Sequence, residues 1–159
     1  MTQLSFIFKN DKEKLVKMLE YYGIKNLNKY LLTYSGREKI RGYSGSLTNK
    51  EIVDLYNGVG IELIGLYLFH DYHDNLRLSF DAISALKDQI TKNIIEINDK
   101  QATEFLKGND ILLTKEEQEK WKDETKSFKI IKNKDEFLGT CKLTTDRIVN
   151  YMPKERRMR

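Results

Sequence analysis

The spacing of hydrophobic and polar residues changes character near residue 90. Before that point, helical spacing alternates with short β-rich runs. Within residues 12–22 the apolar side chains follow the i, i+3, i+4, i+7 pattern, at Leu15, Met18, Leu19 and Tyr22. This pattern predicts an amphipathic helix that ends at Gly23. Two alternating runs on either side of a Ser35-Gly36 turn predict a β-hairpin over residues 30–44.

The rest of the first half continues this mixture of helix and strand. Thr48 and Glu51 have capping-box spacing, which predicts a short helix through Tyr56. A strand is expected over residues 61–69, then a turn over 71–75. Ser79 is a candidate cap for a second helix, whose apolar face carries Ala82, Ile83, Leu86 and Ile90.

Residues 92–152 are dominated by short β-rich segments. A run at 92–97 is followed by a helix over 100–106, which Asn98-Asp99 caps and Gly108 ends. Strands are expected at 110–113, 127–132, 136–143 and 147–152, and the polar segment 114–126 between them is predicted to be a loop. Short strands with tight turns indicate a small barrel or sandwich. We therefore expect an α+β protein with a mixed α/β domain at 1–88 and a β-barrel domain at 89–159.

The net charge of +4, from 28 basic and 24 acidic residues, is concentrated at one end of the sequence. Residues 148–159 carry four basic side chains and a single Glu155; the basic ones are Lys154, Arg156, Arg157 and Arg159. Arginine forms a planar fork of donors that suits phosphate. The only proline, Pro153, fixes the direction in which the chain leaves the last predicted strand. A phosphate-binding tail is thus favoured over a frayed, solvated one.

The chain lacks the sequence signals of several other protein classes. One cysteine excludes a disulfide framework and a zinc site with several thiolates. There is no nucleophile elbow and no P-loop, and Asn57-Gly58-Val59-Gly60 is too short for a dinucleotide-binding loop. We found no targeting signal and no apolar run long enough to span a bilayer. The sequence predicts a cytoplasmic protein that is not an enzyme and holds no cofactor or metal.

His70-Asp71-Tyr72-His73 is the one segment of the sequence with metal-site character. Two histidines three residues apart suit a metal on a helix, but this segment is predicted to be a strand end and turn. Asp74 is the only further ligand nearby in sequence. A solvated turn is therefore favoured, and a metal-dependent enzyme at His70 and His73 remains a minor alternative.

Three segments of the second half resemble a PUA domain. Asn93–Leu113 is similar to its opening strand, helix, Gly-containing turn and second strand, and Phe128–Lys142 is similar to its hairpin. Arg147–Arg157 resembles the closing strand and tail of archaeal small proteins related to the C-terminal RNA-binding part of Sun/Fmu-type rRNA cytosine-5 methyltransferases. Those proteins have a pre-PUA α/β module before the barrel, which corresponds to residues 1–88. The resemblance departs in two places: Cys141 stands where a second glycine is common, and 115–126 replaces a Gly-rich turn.

The resemblance implies an RNA-binding surface and its residues. The family's RNA-binding turn after the helix corresponds to Lys107, Gly108, Asn109 and Asp110. Gly108 with positive φ would expose backbone N–H groups there to a phosphate. Without the resemblance, this turn is a plain helix stop. The closing strand and tail add Tyr151, Lys154, Arg156, Arg157 and Arg159. Tyr151 and Trp121 are candidates for stacking on unpaired bases.

The resemblance also implies a function. The expected partner is structured rRNA or tRNA, in ribosome biogenesis, in association with a ribosomal subunit, or in targeting a separately encoded RNA-modification enzyme. The catalytic cysteines and methyl-donor site of the related methyltransferases have no counterpart in the chain. The main alternative is a protein-interaction adaptor within a ribosomal or RNA-modification complex.

Overall fold

The computed structural model describes residues 4–159. The chain forms two compact units, Met1–Gln89 and Ile90–Arg159. Both contain helices and a five-stranded sheet, so the predicted α+β class is confirmed. No helix within residues 4–159 has the length and apolar character that crossing a membrane requires.

The sheet of the first unit is an antiparallel meander in which the strands follow chain order. Its strands are β1 (Ser5–Phe6), β2 (Leu31–Ser35), β3 (Lys39–Tyr43), β4 (Leu66–Asp71) and β5 (Leu76–Leu78). The predicted hairpin over 30–44 is confirmed as β2 and β3, which pair from Leu31↔Tyr43 to Ser35↔Lys39.

Three helices accompany this sheet: α1 (Lys9–Leu19), α2 (Asn49–Val59) and α3 (Phe80–Leu86), with 3₁₀ turns at Glu20–Tyr22 and Lys87–Gln89. Their ends follow the sequence signals. Gly23 ends the first helical segment with φ of 90°. Thr48 and Glu51 form a capping box at α2, and the Ser79 side chain accepts a hydrogen bond from the N–H of Ala82 at α3.

The first unit has a continuous apolar core. Its fully buried side chains come from helices, strands and connections, and include Leu19, Tyr22, Ile24, Leu27, Leu32, Ile40, Ile52, Phe69 and Leu78. The one polar atom that Tyr22 brings into this core is satisfied, because its hydroxyl donates to the Leu76 carbonyl at 2.7 Å. Burial of these groups is what holds the helices against the sheet.

The second unit has a sheet in the order β6-β8-β9-β10-β7. The strands are β6 (Ile94–Glu96), β7 (Ile111–Leu112), β8 (Phe128–Asn133), β9 (Glu136–Leu143) and β10 (Arg147–Asn150). β6 pairs with β8 in parallel, and the other neighbours are antiparallel. Helix α4 (Asp99–Leu106), capped by Asn98, packs Phe105 on the sheet. A Cβ at Gly139 would lie 3.2 Å from the Phe105 ring, so the glycine allows this close approach.

Two sequence predictions were wrong in their local detail. Residues 61–65 are not a strand, because Gly60 and Gly65 adopt positive φ of 69° and 76° and interrupt the extended run. Residues 114–126 are not a plain loop: they contain α5 (Lys115–Lys120) and a 3₁₀ turn at Lys122–Glu124. Thr114 and Glu117 form a capping box at α5, a signal that is readable in the sequence.

The reactivity of the Cys141 thiol is a test of the packing of the second unit. The residue lies fully buried in β9, and burial raises the pKa of its thiol to about 12. Because the thiolate is the reactive species, we expect Cys141 in the native protein to react with a disulfide reagent at pH 8 roughly a hundredfold or more slower than in denaturant. The rate is measured from the absorbance of the aromatic thiol that the reagent releases. Equal rates in native and unfolded protein would contradict the buried placement.

Candidate nucleic-acid interface

The chain beyond β10 folds back onto the end of α4. Pro153 precedes a 3₁₀ turn at Lys154–Arg156. The N–H of Met158 then donates to the carbonyl of Leu106 at 2.8 Å. The predicted turn and the predicted tail, separated by about forty residues in the sequence, are therefore brought together in one place.

The turn after α4 is a Schellman motif. Gly108 has φ of 90°, its N–H donates to the Phe105 carbonyl at 2.9 Å, and the N–H of Asn109 donates to the Glu104 carbonyl at 3.0 Å. The positive φ of Gly108 is confirmed. The expectation that this turn offers its N–H groups to a phosphate was wrong for Gly108 and Asn109, because both donors satisfy carbonyls at the helix end.

Gly108 has a second role, which is to make room for Arg157. A Cβ at position 108 would lie 2.4 Å from both Cδ and Nε of Arg157, so only glycine allows the arginine to lie on the turn. The Nε of Arg157 donates to the Met152 carbonyl at 3.2 Å. These contacts hold the Arg157 side chain in a defined position between the turn and the last strand.

Asn150 connects all the parts of this site, and sequence reasoning missed it. Its Nδ2 donates to the carbonyls of Phe105 at 2.7 Å and Asn109 at 3.0 Å, and its Oδ1 accepts from the N–H of Met152 at 2.7 Å. Its own N–H donates to Oδ1 of Asp110 at 2.9 Å. An asparagine at a strand end carries no sequence signal of such a role, because Phe105, Asn109 and Asp110 are 40 to 45 residues away from it.

The remaining turn residues are engaged within the protein to different degrees. Glu104 accepts from Asn109 Nδ2 at 2.7 Å and from Lys107 Nζ at 3.3 Å, and these two bonds hold the pKa of the Glu104 carboxyl below its usual value. Asp110 is bound by Asn150, as described above. Lys107 is exposed, and its ion pair with Glu104 leaves the ammonium in contact with solvent.

The tail residues differ in exposure. Lys154, Arg156 and Arg159 are exposed, whereas Arg157 is partly buried. Tyr151 is also partly buried, and its ring lies edge-on to Phe128 with centroids 5.7 Å apart. We name the five cations Lys107, Lys154, Arg156, Arg157 and Arg159 the tail–turn cluster.

The histidine segment of the first unit has a different environment from a metal site. The Nε2 of His70, in β4, lies 3.2 Å from a Glu38 carboxylate oxygen, and His73 lies in the turn with φ of 70°. Burial and the nearby Arg77 lower the pKa of His70. Within residues 4–159, no group of three or more His, Cys, Asp or Glu side chains is arranged to hold a metal ion.

Comparison with known proteins agrees with this fold. The chain resembles a solved structure described as a conserved PUA domain protein from Thermoplasma acidophilum. The TM-score is 0.55 at 14% sequence identity, and the match covers 93% of each chain. At this identity the likeness concerns the fold, which is that of a PUA-domain protein.

The sequence of the second unit also matches a family model. Residues 92–158 match the family model for the methyltransferase RsmF PUA domain. The second unit thus resembles the C-terminal part of Sun-type methyltransferases, and the fold of the chain is similar to that of a PUA-domain protein. No curated protein matches the chain.

Replacing Asn150 tests how the site is held together. Asn150→Ala removes three side-chain hydrogen bonds and leaves the Phe105 and Asn109 carbonyls without this donor. We expect a loss of about 2–3 kcal/mol in the free energy of unfolding of the second unit. The only tryptophan, Trp121, lies in this unit, so its emission during urea denaturation reports on the unfolding of the second unit.

The exposed Asn28 in the first unit provides the matched control. Asn28→Ala should leave the tryptophan transition within about 0.5 kcal/mol of the parent protein. An Asn150→Ala protein as stable as this control would show that the network does not hold the tail and turn.

Proposed function

We propose that this protein is a non-catalytic RNA-binding protein that acts on structured rRNA or tRNA. The observation that carries the proposal is the tail–turn cluster on a PUA domain, the kind of domain that generally binds RNA. The cluster draws its cations from two distant segments, and Arg157 of the tail lies on the Gly108 turn, whose Asn109 carbonyl accepts from Asn150. The proposal concerns a binding surface, and it assigns no reaction to the protein.

The balance of charge supports phosphate as the group that is bound. The acidic side chains within residues 104–110 and 148–159 are Glu104, Asp110 and Glu155. The first pairs with Lys107, and the second accepts from the backbone of Asn150. Lys154, Arg156 and Arg159 are exposed, and arginine donors fit phosphate oxygens in pairs. The body of the chain outside residues 148–159 is nearly neutral, so attraction is concentrated at this site.

Structured RNA suits the proposed surface better than a flexible RNA strand does, because Arg157 and the turn have a defined position. A rigid set of cations recognises phosphates whose spacing is also fixed, as in a folded helix or loop. Suitable settings are ribosome biogenesis, association with a ribosomal subunit, or targeting a separate RNA-modification enzyme. In this proposal the first unit is a pre-PUA module, which orients the protein on its RNA or on a protein partner.

The salt dependence of binding tests the proposal. We expect a protein with Arg156→Ala, Arg157→Ala and Arg159→Ala to bind bulk tRNA and ribosomal RNA fragments more weakly. The slope of log K against log salt should shrink by about two to three units, because each arginine releases counterions from one phosphate. Filter binding at several salt concentrations measures both quantities.

A variant with all three arginines changed to lysine separates charge from geometry. It keeps the charge, so its salt slope should stay near that of the parent protein while its affinity falls because the paired donors are lost. The urea midpoint of each variant shows whether the second unit remains folded. A folded alanine variant with unchanged affinity and slope would remove the tail from the binding surface.

One observation favours the adaptor as a second candidate. The end of α2 and the residues after it expose large apolar side chains: Val59 is 71% accessible, Leu63 54% and Leu66 47%. These three side chains lie within eight residues of the chain, and contiguous exposed apolar side chains mark protein-interaction surfaces. An adaptor would bind its partner through this surface, and the tail would contact an acidic region of that partner.

The two candidates predict different results for the double change Val59→Ser and Leu63→Ser. If the protein is an adaptor, partners that survive nuclease treatment in a pull-down should be lost, while tRNA affinity stays the same. If RNA binding is the function, nuclease alone should release the partners from the parent protein. Partners retained equally by parent and variant after nuclease would count against an adaptor surface at this site.

A further inference from the structure

A groove of about 700 Å³ lies in the second unit, away from the tail–turn cluster. One wall is strand β6 with Asn93 before it, and the other is the helical segment that replaces the expected loop. The lining includes Asn93, Ile94, Glu96, Lys120, Trp121 and Lys132. The tail–turn cluster does not use this groove, whose Trp121 is one of the two candidates for base stacking in the sequence.

The β6 wall presents unpaired backbone groups to a ligand. β6 is an end strand, and it hydrogen-bonds only to β8. The Asn93 carbonyl accepts from Ile130, and the Ile97 N–H donates to Lys132, so odd-numbered residues face β8. Because backbone direction alternates along a strand, the N–H and C=O of Ile94 and Glu96 face the open edge.

A buried lysine of β8 connects the two walls of the groove. Lys129, in β8, is almost completely buried, and its ammonium donates to Asn93 Oδ1 at 2.7 Å and to the Glu124 carboxylate. Asn93 begins the strand wall, and Glu124 ends the helical wall. A buried charge with two polar partners holds a defined geometry, because loss of either partner is costly. The width of the groove is therefore preset.

The helical wall supplies an aromatic ring and a cation. Trp121 is partly buried, and the Lys120 ammonium lies 5.2 Å from its ring centroid. Indole rings stack on nucleobases of any identity, and a backbone N–H next to a C=O matches the donor and acceptor pattern on a base edge. Lys120 and Lys132 are balanced by Glu96 and Glu117, so the groove has little net charge.

We propose that this groove binds one unpaired RNA nucleotide, with its base stacked on Trp121 and its edge bonded to the backbone of Ile94 and Glu96. The inference rests on the proposed RNA-binding function and adds a second, base-contacting site to it. An extended peptide fits less well: β6 has three residues, and the two whose backbones face the open edge are too few to pair with an added strand.

Emission from Trp121 tests this site directly, because it is the only tryptophan in the chain. Titration with AMP, UMP and a single-stranded hexaribonucleotide should quench the emission in a saturable way. Low net charge predicts that this binding depends only weakly on salt. The Arg156, Arg157 and Arg159 alanine variant should show the same quenching by AMP, so failure of the tail proposal does not obscure the result.

Substitutions at Trp121 provide the second measurement, made by anisotropy of a labelled hexaribonucleotide. Trp121→Phe keeps a stacking ring and should bind nearly as well as the parent protein. Trp121→Leu should bind at least about fivefold more weakly. Lys122→Ala, at an exposed neighbouring position, is the control and should bind like the parent protein.

Two outcomes would overturn the nucleotide site. One is unchanged Trp121 emission at saturating hexaribonucleotide while filter binding shows the RNA bound. The other is equal RNA affinity for Trp121→Leu and the parent protein. Quenching by an extended peptide without any by nucleotides would replace the proposal with a peptide-binding groove.

Discussion

The hydrogen bonds of Asn150 are the constraint on which the proposed binding surface of the second unit depends. One side chain satisfies the end of α4, the turn that follows it and the chain leaving β10. Each of these backbone groups would otherwise need another partner or water. Because a single amide fixes three segments, the turn and the tail have one relative position. Gly108 and Arg157 can then pack directly on each other.

This arrangement changes the physical role of the Gly108 turn. The turn does not act as a nest of free N–H donors, since the helix end already uses those of Gly108 and Asn109. Its contribution is to leave the space in which Arg157 of the tail packs on it. In the proposed RNA-binding role, phosphate would be recognised by side-chain cations. Arg157 is held in a defined position, so loss of its geometry should matter as well as loss of its charge.

Local signals in the sequence were enough to predict the class and most of the elements. Thr48, Ser79 and Asn98 cap helices as expected, and the hairpins around Ser35-Gly36 and Asn133–Asp135 form where the turn residues lie. The errors arose where a signal was overlooked or overridden. The capping box of Thr114 and Glu117 starts a helix in a segment whose high charge had suggested a loop. The left-handed Gly60 and Gly65 prevent the apolar run between them from forming a strand.

The site was less accessible to sequence reasoning than the fold. The tail cations and Gly108 were predictable from composition and from the resemblance to PUA domains. The contacts of Asn150, the packing of Arg157 on Gly108 and the groove beside Trp121 were not, because each joins residues far apart in the chain. Hydrophobic periodicity and capping motifs report on neighbours in sequence, and they carry no information about such pairs.

The most direct test of the central claim is ultraviolet crosslinking of the protein to RNA in its native cells, followed by identification of the crosslinked peptides and the attached RNA. The account predicts crosslinks to residues 107–110 and 151–159, on fragments of structured rRNA or tRNA. Crosslinks confined to the first unit, with none on the turn or the tail, would contradict it.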